Sequence, residues 1–246
     1  MDDQVRLALK PTDDEIRALP LSQNSKIVVE LLGKSVGRAL DIGCGDGKFT
    51  RLLAGLSSQT SGVDVKANKI EEAAKAAQAA GVAIDFRTAS GQELPYENAS
   101  FNVVAFSNSL NHMPDPAAAL REAVRVLKPG GVLYVMEPVP SGNYHEATRL
   151  VNDETIVRTD AYRSLDKLAE HGMQSQREIM YRARRTYANF ENWRADQIDR
   201  DLKRKALFDA QPEEVRRRFE SNADREPDGG LGFDQVFRVN LLRKTA

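Results

Sequence analysis

Short apolar runs alternate with amphipathic stretches over the first 140 residues of the chain. Ala39, Leu40 and Ile42 mark a buried strand at 38–42, and comparable runs predict strands at 60–65, 83–88, 101–107 and 132–137. Between them the spacing turns helical, at 47–55, at 67–80 with Gly81 as its stop, and at 116–127 with Leu120, Val124 and Leu127 on one face. Asp115-Pro116 reads as an N-cap followed by a proline in the first helical position. An earlier helix, Asn24 to Leu32, places Ile27, Val28, Leu31 and Leu32 together and ends at Gly33; residues 11–21 are polar, broken by Pro11 and Pro20. Strands alternating this regularly with helices imply right-handed crossovers and an α/β sheet, largely parallel and covered on both faces.

After Pro140 the regularity fades. A helix is expected at 160–170, an extended segment at 174–187, and helical spacing from Phe190 to Asn222 with Trp193, Ile198, Leu202, Leu207, Val215 and Phe219 as apolar positions. A turn at 224–232 then precedes a last strand at 235–242. The pattern is that of a single domain over 1–246, with a core at about 25–188 and 233–246 and a helical insertion at about 189–225. Long insertions beside a functional face often act as lids or substrate walls.

The first strand runs into Asp41-Ile-Gly43-Cys44-Gly45-Asp46-Gly47, three alternating glycines before a helix. Such a turn lets a ligand approach bare backbone, although a purely structural turn has the same composition. The spacing GxGxG differs from the GxGxxG of dinucleotide sites. Asp64, 23 residues beyond Asp41, ends the second strand, where an acid suits a pair of ribose hydroxyls; the plainer alternative is a strand-end or helix-capping residue. Val65, just beyond, can lie flat against a purine.

These residues, with Leu94-Pro-Tyr-Glu-Asn-Ala-Ser-Phe-Asn-Val-Val104 and Arg125-Val-Leu-Lys-Pro-Gly-Gly131, resemble the ordered motifs of the class I S-adenosylmethionine-dependent methyltransferases. The likeness covers roughly residues 25 to 140, and the subgroup it points to holds the ubiquinone and menaquinone methyltransferases (methyltransferase type 11). The resemblance implies a Rossmann-like, doubly wound, seven-stranded, mostly parallel sheet with an antiparallel last strand. It implies S-adenosylmethionine as cofactor and S-adenosylhomocysteine as product. Asp41, Gly43, Cys44 and Gly45 would then meet the methionine part, and Asp64 and Val65 the adenosine. Leu94 would lie near adenine, Ser90 and Gly91 would stand where the family often has an Asp that reads the adenine amino group, and Ser107 and Asn108 would line the methyl-bearing side. Ser90 and Asn102 both depart from the family pattern, which has acids at these places.

A sulfonium methyl group is already activated, so catalysis rests on alignment, exclusion of water and, where needed, a base. His112, Tyr144 and His145 are the candidates, each with a plainer alternative as a turn or packing residue. Cys44 is the only cysteine, which excludes an intramolecular disulfide; set between glycines with no apparent base beside it, it reads as a small residue rather than a nucleophile. No metal site is expected.

The formal net charge of −1 creates no global field for nucleic acid. Residues 171–220 hold 12 Lys and Arg against 9 Asp and Glu, and the interleaved acids argue against an RNA-binding stripe. The opening Met1-Asp2-Asp3-Gln4 shows no leader pattern and no apolar run suits a membrane span, so a cytoplasmic protein is expected. Methyl transfer to a small organic acceptor through O, N or C is the expected function. Its rivals are a non-catalytic protein that binds the cofactor or its product, and a methyltransferase for RNA or protein. The acceptor-shaping segments match the family least, so neither the acceptor nor the oligomeric state is legible.

Overall fold

The computed structural model describes residues 11–245; the opening residues, where the leader expectation falls, lie outside them. The strands are β1 (Arg38–Ile42), β2 (Gln59–Asp64), β3 (Asp85–Thr88), β4 (Phe101–Ser107), β5 (Leu127–Pro138), β6 (Met173–Tyr187), β7 (Asp224–Arg225) and β8 (Leu231–Lys244). Their order is β3-β2-β1-β4-β5-β8-β6, and the two-residue β7 pairs antiparallel with β8. β1 is parallel to both β2 and β4, with Ile42 beside Val63 and Phe106. The strand order reverses between β1 and β4, so the carboxyl ends of these strands frame the crevice where such sheets take ligands. Leu40, Ile42, Val104 and Phe106 are fully buried, each contributing roughly 1.5–3 kcal/mol.

The described chain divides into two compact units. A sheet unit holds residues 23–137, 157–179 and 238–245; an aromatic unit holds 11–22, 138–156 and 180–237. Among the described residues no helix is long and apolar enough to cross a membrane.

In the sheet unit, the helix Pro116–Val126 starts where the Asp115 carboxylate accepts the Ala118 N–H at 3.0 Å, and buries Ala119, Leu120 and Ala123. Its outer face clamps the loop before β4. Arg125 donates to the carbonyls of Leu94 (3.1 Å) and Tyr96 (2.8 Å), while Glu122 accepts the Leu94 N–H at 2.8 Å and pairs with Arg125. Asn102 is structural, since its Oδ1 accepts the Arg38 N–H at 3.0 Å.

The helix ends one residue sooner than the spacing predicts, and β5 begins at Leu127 rather than 132. Leu127 pairs with Phe101 and Val132 with Val103, so Lys128-Pro-Gly-Gly131 is looped out of a continuing ladder. Gly130, at φ +73°, makes that excursion possible.

In the aromatic unit, three helices, Phe190–Arg200, Arg204–Ala210 and Pro212–Asn222, occupy the segment with helical spacing. Asn189 caps the first, accepting the Asn192 N–H at 2.9 Å. Phe190, Trp193, Phe208, Phe219 and Phe233 form a buried cluster, with Trp193 stacked on Phe219 at 4.7 Å. Leu202 and Leu207, expected on the apolar face, are instead exposed; Leu202 falls in the break between two helices.

Short helices at Asp13–Ala18 and Asn143–Thr148 are not foreshadowed by periodicity, and the expected 160–170 helix is an α-helix at Thr155–Ser164 followed by a 3-10 helix at Leu165–His171. The 224–232 turn closes a hairpin, Asp224 opposite Gly232.

Candidate functional site

Asp41, Gly43, Cys44, Gly45, Asp64, Ser107 and Asn108 lie at or just past the carboxyl ends of β1, β2 and β4 in the sheet unit, with Ser90 and Gly91 two and three residues past β3. The turn after β1 is pinned to β2, because the N–H groups of Gly43 and Cys44 both donate to the Val63 carbonyl, at 2.8 and 2.9 Å. Gly43, Gly45 and Gly47 all have positive φ, but they do different work. A Cβ on Gly43 would lie 2.6 Å from the Ser109 Cβ, and one on Gly47 2.9 Å from the Ala73 Cβ. A Cβ on Gly45 would meet nothing within 4 Å. Packing therefore accounts for the outer glycines, while the middle one leaves an open cradle of backbone.

Two carboxylates flank that cradle. Asp64 Oδ2 accepts the Gly45 N–H at 2.9 Å and Oδ1 accepts the Lys66 N–H at 2.9 Å, so the carboxylate is held beside the turn. Asp41 is almost wholly buried; its Oδ2 accepts from the Thr50 hydroxyl at 2.6 Å, whereas Oδ1 is buried with no hydrogen-bond partner among the described residues. Burial pushes the Asp41 carboxyl up to about 7, against the Thr50 hydrogen bond and with a further push from the Asp64 charge. The same burial, with Asp41 and Asp64 nearby, drives the Cys44 thiol well above its ordinary value and keeps it protonated. That is the environment of an inert thiol rather than a nucleophile.

Val65 is 62% exposed, a bare apolar side chain one residue past Asp64. Ser90 accepts the Gln92 N–H at 3.1 Å, and a Cβ on Gly91 would lie 2.7 Å from Ile42 Cγ2, so Gly91 serves close packing. Leu94 is buried. Asn108 takes a left-handed conformation, φ +54°, which Asn tolerates better than most residues, and its N–H donates to the Met136 carbonyl at 2.8 Å. His112 ends the 3-10 turn Leu110–His112, its N–H donating to the Ser109 carbonyl at 3.2 Å.

Tyr144 and His145 belong to the aromatic unit, both on the helix Asn143–Thr148 and both buried. The Tyr144 hydroxyl lies 3.4 Å from that of Tyr187 and accepts from Gln197 at 3.2 Å; His145 Nε2 lies 3.3 Å from the Thr155 hydroxyl.

Two residues escape the sequence reading. Ser109 donates its hydroxyl to the Ile42 carbonyl at 2.6 Å, tying the loop after β4 to the glycine turn. Glu137, buried at the end of β5, accepts the N–H groups of Ser109 (3.0 Å) and Leu110 (2.8 Å) on Oε1, and burial pushes its carboxyl up to about 7. The available signal was a lone acid closing the apolar run Val-Leu-Tyr-Val-Met.

Residues 40–135 match the family described as "Methyltransferase domain". The chain is 38% identical over 120 residues to the 27-O-demethylrifamycin SV methyltransferase of Amycolatopsis mediterranei (strain S699), covering 46% of this chain and 44% of that protein. It is 36% identical over 99 residues to the ubiquinone biosynthesis O-methyltransferase of Xanthomonas axonopodis pv. citri (strain 306), covering 40% of this chain and 41% of the relative. The matched part thus spans less than half the length of these relatives. Among solved structures, BH2331 of Bacillus halodurans C-125 superposes with a TM-score of 0.66 at 17% identity, over 92% of this chain and all of that one. The [4+2]-cyclase SpnF superposes with a TM-score of 0.62 at 23% identity, over 90% and 80% of the two chains. These likenesses show the fold: mixed α/β, a mostly parallel sheet with an antiparallel strand at its C-terminal end.

Proposed function

We infer that this chain, which carries a methyltransferase domain over residues 40–135, transfers a methyl group from S-adenosylmethionine to a small organic acceptor by in-line displacement and releases S-adenosylhomocysteine. The observation that carries this reading is the open cradle at Gly45, flanked by the held carboxylate of Asp64 and the unspent, buried oxygen of Asp41. An orphaned buried carboxylate oxygen calls for a cationic or hydrogen-bond-donating partner, and an amino-acid ammonium is one. The residues present therefore fit the cofactor.

When bound, S-adenosylmethionine supplies an electrophilic methyl group, so the chain's own task is positioning. Asp41 balances the ammonium charge. Gly45 offers backbone unobstructed by a side chain, and Gly43 and Cys44, pinned to β2, hold the turn in place beside it. Asp64 accepts from the ribose hydroxyls, Val65 covers a face of the adenine, and Ser90 with Gly91 meets its edge. Ser107 and Asn108 line the methyl-bearing side, with His112 nearby in sequence as the candidate proton acceptor. Tyr144 and His145 remain in the proposal as acceptor-binding side chains, and the helical segment at about 189–225 as the element that selects the acceptor.

Small acceptors are favoured over RNA because the basic runs are spent internally. Arg216 pairs with Glu191, Arg217 with Glu214, Arg218 with Glu146, and Lys205 with Asp209. Of the two runs, only Lys203 and Arg204 meet no carboxylate among the described residues, too little unpaired charge to follow a phosphate backbone.

Calorimetry with S-adenosylmethionine, paired with a labelled-methyl transfer screen over phenols, amines and activated carbon acids, tests the reading. Asp64→Ala is expected to weaken binding by about 1–3 kcal/mol. Gly45→Val is expected to abolish it, because the added branches enter the cradle and a β-branched residue strains a turn at φ +53°; thermal melts check that the chain stays folded. Tight binding without transfer to any acceptor class would move the chain to the non-catalytic alternative; absence of binding would refute the site.

A further inference from the structure

The aromatic unit contains two half-buried arginines that stand out from their neighbours. Arg182, Arg184, Arg194 and Arg218 each meet at least one carboxylate within 3.1 Å. Arg185 and Arg204 meet none among the described residues. Arg185 donates from Nε to Gln235 Oε1 at 2.5 Å and lies over the Tyr144 ring, 5.0 Å from its centroid. Arg204 donates from Nη1 to Gln197 Oε1 at 2.9 Å, and its Nε is buried with no hydrogen-bond partner among the described residues. Gln197 in turn donates to the Tyr144 hydroxyl, so both guanidinium groups converge on one tyrosine.

One acid lies near them, Asp196, whose carboxyl is held below its ordinary value against burial by Arg200 and Tyr187, with a smaller pull from the Arg185 charge. Asp196 is held by Arg200, through bonds of 2.9 to 3.1 Å, and accepts the Tyr187 hydroxyl at 2.9 Å. The cluster of Arg185, Arg200, Arg204 and Asp196 thus carries three cations and one anion. Its leftover polar atoms are donors as well: Arg204 Nε and, one helical turn before Gln197, the buried Nε1 of Trp193. Unpaired charge and unspent donors in a half-buried setting are costly unless a ligand that only accepts hydrogen bonds completes them.

We propose that the aromatic unit binds a small organic anion, bearing a carboxylate or a phosphate, at the guanidinium groups of Arg185 and Arg204 beside Tyr144. The planar fork of each arginine matches two oxygens of either group. Calling this ligand the methyl acceptor rests on the methyl-transfer reading; the anion site itself does not.

Benzoate, phenyl phosphate and neutral benzamide are titrated against the full chain, followed by calorimetry and by the emission of Trp193, the only tryptophan. At least one anion is expected to bind saturably, and benzamide about tenfold more weakly or worse. Which anion wins identifies the charged group. Arg185→Gln and Arg204→Gln are each expected to weaken that anion about tenfold, and Arg225→Gln, on the exposed β7, to change it less than about twofold. Thermal melts check folding, and Arg→Lys variants at 185 and 204 replace any Gln variant that fails; they keep the charge without the fork and are expected to bind at intermediate strength. Absence of saturation by both anions, equal binding of benzamide, or unchanged affinity in folded variants at 185 and 204 would overturn the site. Parallel titration with S-adenosylmethionine separates this failure from failure of the methyl-transfer reading.

Discussion

At the scale of single residues, the most consequential group is the carboxyl of Asp41. Its folded value of about 7 lies above its ordinary 3.8 because burial disfavours the charged form. Between about pH 4 and 7 the unfolded chain has released this proton while the folded chain still holds it, so the Asp41 contribution to stability is full below that window and is lost as pH rises through it. Denaturant midpoints taken from pH 4.5 to 7.5 are expected to fall less steeply in Asp41→Asn than in the parent. Binding of an ammonium-bearing ligand favours the ionised form, so binding at pH 6 is expected to release close to one proton. Calorimetry in buffers of different ionisation heat measures this, and the release is expected to vanish in Asp41→Asn. The glycine turn was legible because it is written in consecutive residues, and Asp64 because it closes the next apolar run of the chain. Glu137 was not, because its partners, Ser109 and Leu110, lie 28 and 27 residues away.

Secondary-structure elements were legible where a long pattern repeats, as in the helix Pro116–Val126, whose cap and proline announce its start. The six-residue helices at Asp13–Ala18 and Asn143–Thr148 are too short for periodicity to register, and the second opens without a side-chain cap. The spacing carried that helix to 127 and opened the next strand at 132; what the residues could not tell is that the ladder begins at Leu127 and resumes beyond the Lys128-Pro-Gly-Gly131 loop. The clamp between this helix and the loop before β4 gives a prediction at the same scale. Arg125→Met removes the donors to the Leu94 and Tyr96 carbonyls and leaves Glu122 without its cation. A loss of about 1–3 kcal/mol is expected, with faster amide exchange at Leu94 than in the helix interior. Equal exchange in variant and parent would show that the loop holds itself.

For the molecule as a whole, the places of β1 to β4 along the chain were legible in the strand–helix alternation, whereas their order in the sheet was not, because alternation alone does not say where the winding reverses. The aromatic unit was less readable. It is assembled from three separated stretches, and contacts of that kind leave no trace in local spacing. Its cohesion rests on stacked and edge-on rings, with Phe219 lying against Trp193 at 4.7 Å, Phe233 at 4.9 Å and Phe190 at 5.5 Å. Phe219→Ala is expected to cost about 3–5 kcal/mol and to shift Trp193 emission to the red as water enters the vacated space. Unchanged emission would mean that the rings close over the gap.

The solitary thiol of Cys44 gives the chain a built-in clock. It sits in the glycine turn, 7% exposed and held protonated, so a disulfide reagent has almost no thiolate to attack until that turn opens. The modification rate therefore reports how often the turn opens, without any engineered label. A compound that settles on the turn should slow modification in proportion to its occupancy, and one bound only elsewhere should leave the rate untouched. Timed mass spectrometry of the unaltered protein can thus rank candidate ligands by where they act.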